Sequence, residues 1–120
     1  MNDQKIKEQY PLSWELFLRY SGLKTAWHPF DDPKWFRQLY DFFDENGVYV
    51  EIGIDRTMEP KYAPYVYWDC IWTSDKPIED LYKDEYERWQ DEFLYRTRSE
   101  AEECAFMKAF EIFEKKLTHE

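Results

Sequence analysis

Few residues in this 120-residue chain are of the types that do catalysis or bind metal, and carboxylates are the exception. Histidine occurs only as His28, in WHPF, and as His119 near the C-terminus, and neither has a Cys or His companion at metal-ligand spacing. Three unclustered glycines leave no phosphate-cradling loop. A Ser or Cys nucleophile would need a nearby base, and the ingredients are sparse. Glu51 and Asp55, four residues apart on the outward face of a strand, are the right types for an acid–base couple, but solvated charges explain them more simply. These residues therefore predict a protein that is not an enzyme and needs no cofactor or metal.

Charge is the informative property. Asp and Glu total 26 against 16 Lys and Arg, a net charge of −10. Such a surface repels phosphate backbones, because nucleic-acid affinity comes largely from cations that displace counterions, so direct nucleic-acid binding is not expected. Half of the net charge lies between Asp75 and Leu94. There, Asp75, Glu79, Asp80, Asp84, Glu85, Glu87, Asp91 and Glu92 face only Lys76, Lys83 and Arg88. Within the same stretch Tyr82, Tyr86, Trp89 and Phe93 recur at helical spacing, and Ser74 or Asp75 can cap a helix whose first turn holds Pro77. A helix here sets a carboxylate face beside rings, with Tyr82 and Tyr86 as anchors. Such a face can occupy the basic groove of a nucleic-acid-binding protein and speed its association by steering. The plainer reading of these acids is a solvated helix face. A third strand toward Phe93 to Thr97 is the competing expectation for this region, because a lone hairpin is marginal.

The elements on either side follow from periodicity. Residues 11 to 21 read as a helix that is apolar nearly all round, with Leu12, Leu16, Phe17 and Tyr20 on one side and Trp14 and Leu18 on the other. It is either buried on two faces or free to close a homodimer. Pro33 starts a second, cleanly amphipathic helix, which sets Trp35, Phe36, Leu39, Tyr40, Phe42 and Phe43 opposite Arg37, Asp41 and Asp44, and Gly47 ends it. From Val48 to Asp55 the period changes to two, the pattern of a half-buried strand, and YVYWDCIWT reads as its partner. The last helix begins near Ser99, with Thr97 and Glu100 or Ser99 and Glu102 at capping-box spacing. Its inner side holds Ala101, Ala105, Phe106, Ala109, Phe110, Ile112, Phe113 and Leu117. The expected fold is one α+β domain over residues 1–120: a small antiparallel sheet of two or three strands with helices on one face, in the order α-α-β-β-(α or β)-α.

Aromatic residues make up 21% of the chain, more than so small a core can hide, so some rings are expected at an interface. No stretch has the length and apolarity of a membrane span, and the N-terminus does not read as a signal peptide. A cytoplasmic protein is the expectation. Cys70 and Cys104 are expected to be free, buried thiols.

Two resemblances bear on function. The order of elements resembles that of double-stranded RNA-binding domains, but Glu100, Glu102 and Glu103 stand where such a domain grips phosphate with lysines, so RNA binding does not carry over. LYDFFDENGVYVEI and YRTRSEAEECAFMKAFEIFEKKL, about a third of the chain, are similar to small uncharacterised acidic proteins of phages and mobile elements of Bacteroidetes-type bacteria. That resemblance implies no site residues. It implies a phage accessory protein, a class that includes inhibitors of host defence such as anti-CRISPRs. The expected partner is thus a basic host protein; the alternative is a structural or accessory phage protein acting as an apolar homodimer.

Overall fold

The computed structural model describes residues 3–22, 33–56, 65–73, 87–90 and 94–118. The elements are α1 (Asp3–Gln9), α2 (Pro11–Ser21), α3 (Pro33–Glu45), β1 (Val48–Arg56), β2 (Tyr65–Thr73), β3 (Glu87–Gln90) and α4 (Arg98–Thr118). The three strands form an antiparallel sheet in the order β1-β2-β3, with helices packed on it, which is the expected α+β architecture. Helix α1 was not anticipated. Its seven residues include one core side chain, Ile6, too little periodicity to announce a helix.

Helix α4 organises the core. Alanines at 101, 105 and 109 lie one turn apart and are fully buried, so the helix axis approaches its neighbours closely. Phe106, Phe110 and Phe113 fill the space beside them. The Phe110 ring lies 5.0 Å from Phe43, 5.9 Å from Trp14 and 6.1 Å from Phe17, in tilted or edge-on geometries that suit ring quadrupoles. Thr97 caps the helix, its hydroxyl accepting from the Glu100 amide at 3.2 Å.

From α3, Leu39, Phe42 and Phe43 are buried and Tyr40 packs against the core, while Arg37, Asp41 and Asp44 are exposed, as the amphipathic pattern predicts. The turn into β1 is closed by Asn46, whose Nδ2 donates to the Phe42 carbonyl at 2.7 Å, and by Gly47 at φ 75.

Helix α2 buries the arc between the two expected sides. Ser13, Trp14 and Phe17 are inside, whereas Leu12 and Tyr20 remain 45% and 41% exposed. Its N-terminus has no local side-chain cap, since Tyr10 precedes Pro11. Glu114 of α4 supplies one from about a hundred residues away. Its Oε1 accepts from the Ser13 amide and hydroxyl, both at 2.8 Å, and its Oε2 from the Leu12 amide at 3.3 Å. A carboxylate at exposed helix amides satisfies orphan donors and suits the helix dipole.

A third strand is found, at Glu87–Gln90 rather than over Phe93 to Thr97, and it interrupts the helix expected across residues 74 to 94; residues 74–86 and 91–93 of that expectation lie outside the described residues. Trp89 therefore belongs to a strand, opposite Ile71, and packs against the core. Sheet completion overrides the helical spacing there. Tyr95 adds a bridge to Tyr67 beyond the strand. Cys70 is buried as expected, but Cys104 is exposed because it lies on the solvent side of α4. Both are free.

Phe110→Ala is expected to cost about 3–5 kcal/mol in a denaturant melt, because the aromatic cluster cannot close over the lost ring. Glu114→Ala should cost about 1 kcal/mol, the ordinary loss for a helix cap, with the helical circular dichroism of the folded state retained.

Candidate functional site

Among the described residues the helices pack on one face of the sheet, and strand residues of the opposite face can meet a partner. Strand alternation and the register, from Val48↔Thr73 to Arg56↔Tyr65, assign the two faces. Val48, Val50, Ile71 and Trp89 point to the helices. The outer face carries Tyr49, Glu51, Gly53 and Asp55 from β1, Trp68, Cys70 and Trp72 from β2, and Arg88 from β3.

Gly53 and Trp68 are register partners at the centre of this face. A Cβ on Gly53 would fall 1.8 Å from two Trp68 ring atoms, so the indole lies across the glycine, where no other residue leaves room. Glu51 and Asp55, both exposed, stand two residues to either side of Gly53 on the same face, about 7 Å away along the strand by its rise per residue. A half-buried indole is thus flanked by two solvent-facing carboxylates. Carboxylates attract an ammonium or guanidinium group, and a ring face adds roughly 0.5–1 kcal/mol of cation–π attraction at an exposed site.

The same face already contains one such pairing. The Arg88 guanidinium sits 4.9 Å from the Trp72 ring centroid, and its Nε donates to Cys70 Sγ at 3.1 Å. Burial pushes the Cys70 thiol up, and Arg88 offsets this only in part, so the thiol is a poor nucleophile.

A second acidic surface lies on α3. Asp41, Asp44 and Glu45 are exposed near Tyr20, whose hydroxyl is raised first by desolvation and then by these three charges. Partial desolvation, with Asp41 beside it, raises the Asp44 carboxyl. Tyr40 donates to Glu102 Oε2 at 3.0 Å, and burial, followed by the Glu102 charge, holds its hydroxyl far above the ordinary range. Asp41, Asp44 and Glu45 of α3 thus lie about Tyr20, whereas Tyr40 has Glu102 and Asp44 beside it together with Arg98. Among the described residues no group of three or more His, Cys, Asp or Glu side chains converges in metal-binding geometry, and no helix is long and apolar enough to cross a membrane.

Of the residues singled out from sequence, Asp75, Glu79, Asp80, Tyr82, Asp84, Glu85, Tyr86, Asp91 and Glu92 lie outside the described residues. Glu87 opens β3, and its side chain lies outside them too. Glu51 and Asp55 are outward-facing, as their alternation implied. Trp68 was missed as their companion because its position depends on the β1–β2 register. The available signal was the lone Gly53 inside a strand pattern, which marks a close approach. Comparison with family models, with curated proteins and with solved structures finds no match to this chain.

Gly53→Ala is expected to displace the Trp68 ring, shifting tryptophan emission and lowering stability by about 1–3 kcal/mol, the usual range for overpacking. An unchanged spectrum and melt would show that Trp68 does not rest on Gly53.

Proposed function

We propose that this chain is a non-enzymatic, acidic protein-binding module that captures a basic partner. The observation that carries this reading is the pair of exposed carboxylates, Glu51 and Asp55, on either side of the Trp68 indole. A lysine or arginine can lie over the ring with a carboxylate within reach on either flank, while the net charge of −10 steers a cationic surface toward it. The acids of α3 and α4 contribute to that net charge, as does the acid-rich segment from Asp75 to Glu92. The partner class that fits is a basic nucleic-acid-binding protein of a host cell, whose groove the module would block in the cytoplasm. Following the resemblance of its sequence to phage and mobile-element proteins, we propose that the module is an inhibitor of host defence of the anti-CRISPR kind.

A second reading rests on α2, where Leu12 and Tyr20 are exposed large apolar side chains on one helix. They suit a homodimer, which would persist in salt and show in the sedimentation mass. The two readings separate cleanly, because exposed charge pairs are screened over about 8–10 Å near physiological ionic strength and apolar contacts are not.

The test is binding to an immobilised arginine- and lysine-rich peptide at low and moderate salt. The wild type should bind and lose most of its affinity as salt rises. Glu51→Lys combined with Asp55→Lys should weaken binding about tenfold or more, roughly 1.4 kcal/mol or above, while the thermal melt stays nearly unchanged. Undiminished binding by that variant would rule the reading out. Reversing Glu79, Asp80, Asp84 and Glu85 to lysine measures the share of the other acid-rich segment in the same assay.

A further inference from the structure

We infer that the open edge of β1 receives an extended segment of the basic partner as a fourth strand, with its lysines or arginines facing Glu51 and Asp55. This rests on the reading above and specifies how the partner binds. In the order β1-β2-β3, β1 is an edge strand of nine residues, and among the described residues no strand lies on its far side. An edge of that length offers a row of backbone donors and acceptors to an incoming chain. Main-chain pairing supplies affinity in this mode, and side chains at alternate positions supply specificity.

The side chains of β1 state the required alternation. On the outer face, Glu51 and Asp55 call for basic residues, and the Trp68 indole that fills the space over Gly53 between them offers its ring to a long side chain. On the opposite face Ile54 is 47% exposed, although it shares that side with the core residue Val48 and with Val50, which packs against the core, and it calls for an apolar residue. A segment alternating basic and apolar residues satisfies both. A second copy of β1 does not. Its outer face consists of Tyr49, Glu51, Gly53 and Asp55, so overlapping two copies gathers four carboxylates on one face without a base. Like charges placed across strands destabilise pairing, and charged residues on an edge strand are an ordinary defence against self-association.

The experiment titrates isotopically labelled protein with a capped peptide of alternating lysine and valine, matched to β1 at about nine residues. A second peptide of the same sequence carries a methyl group on every backbone nitrogen, which keeps the charge and abolishes strand pairing. The unmethylated peptide should bind, perturb the amide resonances of Tyr49 to Asp55 and slow hydrogen exchange at those that point away from β2. The methylated peptide should bind about tenfold more weakly or worse. Equal affinity for the two peptides, binding without protection in β1, or no binding of the unmethylated peptide would each overturn the inference. The first two outcomes leave the acidic-capture reading standing. That reading fails separately, when Glu51→Lys with Asp55→Lys leaves binding to the arginine- and lysine-rich peptide undiminished.

Discussion

The packing of α4 against three helices and one face of the sheet is the constraint on which the rest of the structure depends. Its alanines bring the backbone close to its neighbours, and its phenylalanines reach Trp14, Phe17, Phe42 and Phe43. Aromatic side chains of this size dominate the energetics of a small core. With the apolar faces of α2, α3 and α4 committed to one side of the sheet, β1 and β2 present their other face outward. The candidate site is a consequence of that one-sided layering.

Electrostatics is arranged around the same layers. Bases are used locally: Lys108 and Lys115 pair with Glu111, whose carboxyl is lowered mainly by its hydrogen bond from Lys108, Arg19 pairs with Glu15 at 2.7 Å, and Arg88 stacks on Trp72. Solvent-exposed pairs such as Arg19–Glu15 contribute little stability, about 0–1 kcal/mol each. They do neutralise part of the surface, and the remaining negative charge is uneven. Glu114 is different, because it sits on the amides that begin α2 and ties the two helices together. Carboxylates thus serve three separate purposes here: capping, ion pairing and outward-facing charge.

Local signals carried much of the architecture. The amphipathic pattern of α3, the alternation of β1, the β-rich composition of β2 and the Thr97 cap of α4 each concern residues a few positions apart, where backbone geometry sets the period. Trp89 shows where such signals mislead. Its spacing from Tyr82 and Tyr86 suits a helix, yet its neighbours in space are Ile71 and the α4 side, and the need of a hairpin for a third strand decided its conformation. Cys104 shows the same limit on a smaller scale: a helix with apolar residues over half its circumference does not announce which margin faces water.

The amino-acid sequence by itself determined the charge, the aromatic surplus, the fold class and the outward placement of Glu51 and Asp55, because composition and short periodicities need no long-range partner. Only the tertiary structure decided that Trp68 lies across Gly53 between those carboxylates, that Glu114 caps α2, and that α2 leaves Leu12 and Tyr20 exposed. Each of these depends on strand register or helix docking between residues distant in the chain. Such contacts are selected by the packing of the whole core; a local pattern such as the lone Gly53 marks a close approach without naming its partner.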